Sequence, residues 1–166
     1  MIKAITVDML EKSGVLGLIW RVFEEFEAPD YTDEGIKEFQ SFIAAQSVKE
    51  RMSRRELLFW GCWRDNRLVG AIATRPPCHI SLLFVDKEYH RRGIAKSLFR
   101  TAVGFYIENS SFDKMTVNSS PYAVEVYRRL GFVDTDSEQI VNGLRFTPMR
   151  HTFRSSNGKP LPQNAK

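Results

Sequence analysis

Apolar residues along the chain recur first at alternate positions and then at helical spacing. Residues 2–7 (IKAITV) alternate as a short strand. Asp8 with Glu11 has the spacing of a capping box, in which two side chains satisfy the free amides of a helix start. Val15, Ile19, Val22 and Phe26 then follow at helical spacing until Pro29 and Asp30 end the helix. Thr32 is placed to cap a second helix, with Ile36, Phe39 and Ile43 on its apolar face. The charged run 47–56 (SVKERMSRRE) predicts a short solvated helix or a loop.

From residue 57 the period becomes two. LLFWGCW and RLVGAIAT predict paired strands joined at Asp65-Asn66 by a tight turn, and Pro76-Pro77 closes the second. HISLLFV (79–85) is apolar on both faces, the pattern of a central strand. Ile94, Leu98, Ala102 and Phe105 mark a helix over about 93–108, and KMTVN (114–118) a short strand. Ala123, Val126, Tyr127 and Leu130 form the buried side of a helix over 121–130. Two β stretches follow near 132–141 and 144–153, the last confined by Pro148 to a sheet edge or a bulge. The order β-αα-βββ-α-β-α-ββ makes the fold class mixed α/β, with a right-handed crossover between parallel strands at 79–118. Residues 154–166 (RSSNGKPLPQNAK) carry no apolar pattern and predict a disordered basic tail, which leaves one domain over 1–153.

Composition narrows the function classes. The 166 residues are 43 % hydrophobic, enough for one sizeable core. No run approaches the ~18–20 apolar residues of a membrane span, and the first residues show no basic-then-apolar leader. Cys62 and Cys78 are too few for a disulfide framework or a Cys-rich metal site. The expectation is a cytoplasmic domain with no membrane partner and no metal. The basic run at Lys49, Arg51, Arg54 and Arg55 lacks interleaved aromatics, so no nucleic-acid partner is expected either.

Candidate chemistry concentrates at residues 85–96 (VDKEYHRRGIAK), where a buried strand passes through a basic turn into a helix. A helix N-terminus offers unpaired amides and partial positive charge, and Gly93 lets backbone approach a ligand. Arg91, Arg92 and Lys96 add charge suited to phosphates. An ordinary turn with solvated charges would read the same way, and neither a Walker loop nor a GxGxxG fingerprint is present.

A second segment, 117–132 (VNSSPYAVEVYRRLGF), changes that balance. Together, VDKEYHRRGIA and NSSPYAVEVYRRLGF resemble the two signature motifs of the GNAT superfamily of acyl-CoA-dependent N-acetyltransferases. Lys87 stands where the family commonly has proline and His90 where it has Gln or Arg, while Val85, Gly93 and Ala95 fit. The resemblance implies a single-domain mixed sheet with splayed central strands and helices on both faces. It implies transfer of the acetyl group of acetyl-CoA to a primary amine of a small molecule or peptide, by direct attack in a ternary complex. A non-catalytic acyl-CoA sensor or interaction module of the same fold is the alternative.

The resemblance also assigns residues. The backbone of Leu83, Phe84 and Val85 would meet the acetyl-pantetheine end, with a Leu83 or Phe84 amide polarising the thioester carbonyl. The segment Arg91, Arg92, Gly93, Ile94, Ala95 and Lys96 would hold the pyrophosphate. Asn118 would contact pantetheine or else cap the next helix. Arg128 or Arg129 would reach the adenosine 3′-phosphate or else face solvent. Tyr127 would protonate the departing thiolate, although its apolar helix face also suits a core position. His79 or Glu24 would serve as base, Glu24 lying with Glu25 and Glu27 at the end of the first helix. Residues 24–38 hold seven acids against Lys37, an acidic rim that would attract a cationic amine, with Trp20 and Tyr31 as an aromatic wall. The protein is expected as a monomer or homodimer.

Net charge then resolves into parts. Of the total of +4, Arg154, Lys159 and Lys166 belong to the tail. Lys87, Arg91, Arg92, Lys96 and Arg100 oppose only Asp86 and Glu88 at the turn.

Overall fold

A computed structural model describes residues 1–163. Eight strands form one sheet: β1 (Ile2–Ile5), β2 (Leu58–Arg64), β3 (Arg67–Arg75), β4 (His79–Val85), β5 (Lys114–Ser119), β6 (Val133–Asp134), β7 (Gln139–Val141) and β8 (Leu144–Thr152). Their spatial order is β1-β2-β3-β4-β5-β8-β6, with β7 also on β8. Among the described residues only the β4–β5 pair is parallel.

The helices are α1 (Leu10–Ser13), α2 (Val15–Phe26), α3 (Asp33–Phe42), α4 (Ala45–Ser53), α5 (Ile94–Asn109) and α6 (Val124–Arg129). They divide between the two sheet faces because each strand alternates its apolar side chains. Leu82 and Phe84 of β4 join the core built with Leu18, Ile19 and Phe23 of α2 and Val48 of α4. Ile80 and Val85 join the opposite core with Leu98, Phe99 and Ala102 of α5 and Tyr127 of α6. The α/β class, the mixed sheet and the helices on both faces are as expected.

Local signals succeed where the chain satisfies its own backbone. Thr32 caps α3, its Oγ1 accepting the Gly35 amide at 3.2 Å. Asp65 and Asn66 both take positive φ, +48° and +60°, as a tight hairpin turn requires. The Asp8–Glu11 capping box does not form, because neither cap carries a side-chain bond. Glu11 instead pairs with Lys49 of α4 at 2.6 Å, and Gly14 at φ +72° separates α1 from α2. The charged run at 47–56 is largely helical, since Val48 and Met52 provide a buried stripe.

Pro148 corrects the expectation of an edge or a bulge. β8 is interior, paired along Lys114↔Thr152 to Ser119↔Thr147 with β5 and on its other side with β6 and β7. The Pro148 carbonyl accepts the Thr135 amide, so its missing N–H also falls on the β6–β7 side. The pairing there is interrupted between Asp134 and Gln139, and no ladder bond is lost. The tail, expected disordered over 154–166, is held by polar contacts as far as Gln163. Arg154 donates to the carbonyls of Ile107, Ser110 and Gly158, and Arg100 donates to that of Gln163. Such contacts leave no apolar periodicity to read. Residues 164–166 lie outside the described residues.

Candidate active site

The parallel pairing of β4 and β5 is short. His79 faces Thr116 and Ile80 faces Val117, and beyond that the strands part. A bulge opposite Ala73 and Thr74 inserts Ser81 into β4. Its hydroxyl is buried and has no hydrogen-bond partner among the described residues. A strand that loses one neighbour presents backbone amides and carbonyls that need another partner.

The gap opens on a cavity of about 700 Å³. Leu83, Phe84, Asn118 and Tyr127 line it, as does His79. Glu24 does not: it is exposed on α2, three residues before Glu27, which does line the cavity. The acidic rim thins in the same way, since only Glu27 and Glu38 of its seven acids reach the wall. Glu25 is engaged by Lys87 at 3.1 Å and Asp30 by Arg145 at 3.7 Å. Tyr31 lines the cavity, whereas Trp20 packs on Phe23 with ring centres 5.6 Å apart.

Two titratable groups that line this space depart from their ordinary values. Burial raises the Glu27 carboxyl to about 7, against the pull of a 2.8 Å hydrogen bond that Ser120 donates to it; Asp30 raises it further. Burial also raises the Tyr127 phenol well above its ordinary value, with Glu27 and then Tyr31 adding to the effect. Tyr127 therefore keeps its proton, and Glu27 titrates near neutrality. His79 is pushed down to about 4 by burial and then by Arg75, and its Nδ1 shares a 2.8 Å hydrogen bond with Thr116. That strand-end hydrogen bond suits a structural role.

At the far end of β4 the turn has the form of an anion cradle. Arg91 and Gly93 both take positive φ, +61° and +76°. A Cβ at Gly93 would meet open space, so the backbone angle rather than crowding calls for glycine there. Gly93 caps α5 with no side-chain bond. The first intrahelical bond returns from Ser97 to the Gly93 carbonyl, so the amides of Ile94 and Ala95 have no acceptor within the helix. His90 turns inward, its Nε2 donating to the Val85 carbonyl at 2.7 Å and its ring lying against Phe26. Arg91 and Arg92 are exposed, the latter over the Tyr89 ring at 5.2 Å. Val85 is buried one step outside the cavity wall. Arg128 is held by Glu125 and Asp134, and Arg129 is exposed.

The opposite wall is the β7–β8 hairpin, whose Val141, Asn142, Leu144 and Phe146 line the cavity. It is docked on α3 by glycines. A Cβ at Gly35 would overlap the Gly143 carbonyl, and one at Gly143 would overlap Thr32 Oγ1. This close approach joins residues more than a hundred apart, and nothing in local periodicity signals it.

A family model described as an acetyltransferase (GNAT) domain matches residues 27–153. Human N-acetyltransferase 8 is 31 % identical over 101 residues, covering 53 % of this chain and 44 % of that protein. The chain thus spans less than half the length of this curated relative. Among solved structures, the PaiA N-acetyltransferase of Thermoplasma acidophilum in complex with coenzyme A superposes with a TM-score of 0.76 at 18 % identity, covering 92 % of this chain and 98 % of that one. A GCN5-related N-acetyltransferase from Rhodopseudomonas palustris superposes with a TM-score of 0.74 at 19 % identity, covering 92 % and 94 %.

Proposed function

Because the chain belongs to the GNAT acetyltransferase family, we propose that it transfers the acetyl group of acetyl-CoA to a primary amine of a small molecule, by direct attack in a ternary complex. One observation carries the reading. The unpaired stretch of β4 opens on a cavity that holds both a carboxyl raised to about 7 and a protonated, buried phenol. The residues fit acetyl-CoA as a substrate: the uncapped start of α5 suits its phosphates, and the freed edge of β4 suits its amide-bearing arm. A Leu83 or Phe84 amide is the oxyanion donor.

Glu27 takes the role of base in place of Glu24 or His79, because Glu24 stands off the cavity and His79 is committed to Thr116. A carboxyl near 7 is partly ionised at neutral pH, so it attracts an ammonium and can accept its proton. Tyr127 is the acid for the leaving thiolate. The two roles are coupled, since the Glu27 charge helps hold the phenolic proton. Once Glu27 is neutralised by the acceptor's proton, Tyr127 releases its own more readily. Cys62 and Cys78, both free and buried, suit the reducing cytoplasm in which we place the protein.

The test is thiol release when acetyl-CoA is mixed with a panel of primary amines. Tyr127→Phe is expected to lower kcat by about 10²-fold, the ordinary share of a general acid, with the KM for acetyl-CoA little changed. Acetyl-CoA binding without thiol release from any amine would make the domain a binding module instead.

A further inference from the structure

The cavity has a second end that the transfer chemistry does not use. Arg75 closes β3 opposite His79, at the end of β4 that is still paired with β5. Arg51 reaches the same wall from α4. Its guanidinium donates to the carbonyls of Phe42 and Ser47 and lies 4.0 Å over the Phe42 ring. These partners fix its position without neutralising its charge. Among the described residues, neither Arg51 nor Arg75 has a carboxylate within ion-pair distance.

The two cations feel each other. Burial lowers the Arg51 guanidinium; Glu56 opposes this, and Arg75 lowers it further. Glu56 and Glu38 also line the cavity; both are exposed, and neither lies within ion-pair distance of Arg51 or Arg75. Arg75 is exposed and Arg51 half-buried, and two guanidiniums without a carboxylate partner on one concave wall attract an anion.

We propose that Arg75 and Arg51 bind an anionic group of the acceptor, which makes the acceptor an amine bearing a carboxylate several bonds from its nitrogen. This rests on the amine-acetylation reading above. Separation along β4 sets the spacing: His79 to Leu83 is four residues, about 13 Å of strand. The arginine side chains cover part of that distance. The single carbon of an α-amino acid does not cover the remainder, whereas a chain of several carbons does. The amine end meets Glu27 and the carboxylate end meets the arginines, so the cavity is complementary to a zwitterion rather than to a simple cation.

The experiment compares δ-aminovalerate, glycine and pentylamine as acceptors, with valerate titrated calorimetrically as a non-reacting anion. We expect kcat/KM for δ-aminovalerate to exceed that for pentylamine and glycine by about tenfold or more, the usual contribution of a charge-assisted hydrogen bond. In Arg75→Gln the advantage over pentylamine should fall to near unity, and Arg75→Lys should recover part of it. Valerate binding should weaken in parallel. Equal kcat/KM for δ-aminovalerate and pentylamine in the wild type, or valerate binding indifferent to Arg75, overturns the proposal. Turnover of none of the amines overturns the transferase reading, while Arg75-dependent valerate binding would still support the anion site.

Discussion

Glu27 can be tested through Ser120, its hydrogen-bonding side-chain partner among the described residues. Its carboxyl is raised to about 7 by burial, while the Ser120 hydroxyl, donating at 2.8 Å, opposes that rise by stabilising the charged form. Ser120→Ala removes the opposition. A hydrogen bond to a charged group contributes about 1.5–3 kcal/mol, and one pKa unit corresponds to about 1.4 kcal/mol. Loss of the bond is therefore worth about one to two units, and water entering the space left by the hydroxyl keeps the change near the lower figure. The acid limb of kcat/KM against pH, which falls as Glu27 protonates, should move from about 7 toward about 8. Thiol release with pentylamine as acceptor reads it, since an alkylamine titrates near 10, well above this limb. Ser120 Oγ also accepts the Ala123 amide at the start of α6. The variant therefore loses about 1 kcal/mol of stability as well, and the assay is run well below its melting temperature. A limb that stays in place in Ser120→Ala, or that persists in Glu27→Gln, refutes Glu27 as the base.

Two further outcomes follow from the same geometry. Glu27→Gln should stabilise the fold at high pH, because a carboxyl raised from 4.5 to about 7 contributes stability below pH 4.5 that is lost as pH rises through 7. The gain should be absent near pH 4.5 and reach up to about 3 kcal/mol above pH 7, read as a melting-temperature difference that grows with pH; a difference independent of pH would contradict it. Gly143→Ala, at φ +77° and against Thr32 Oγ1, should cost about 1–3 kcal/mol. It should also raise the KM for the acceptor more than that for acetyl-CoA, because it displaces the hairpin wall; equal changes in both would show that the hairpin does not border the acceptor.

Much of the fold was legible because its signals are local. The helical repeat at Val15, Ile19 and Val22, the two-sided apolar run of β4 and the positive-φ turn at Asp65-Asn66 each depend on residues a few positions apart. The signals that misled are equally instructive. The Asp8–Glu11 spacing fits a capping box, but Lys49 is a stronger partner for Glu11 and comes from thirty-eight residues away. Pro148 reads as an edge marker because its missing donor must be accommodated, and the accommodation lies in an interruption between β6 and β7. Glu24 and Glu27 are indistinguishable as letters, one helical turn apart on an acidic segment. Their surroundings diverge because Glu27 accepts a hydrogen bond from Ser120 and lines the cavity while Glu24 faces water.

By itself, the sequence determined the order of elements from β2 to α6, the crossover that makes β4 and β5 parallel, and the basic turn whose Gly93 permits a left-handed backbone before α5. All of these are set by neighbours along the chain. Tertiary structure alone decided where pairing of β4 and β5 stops, which acid helps raise the Tyr127 phenol, and that Arg51 and Arg75 line the same cavity. The physical reason is that burial and charge proximity act through space. They raise one carboxyl among seven to about 7, and they set two guanidiniums on one cavity wall.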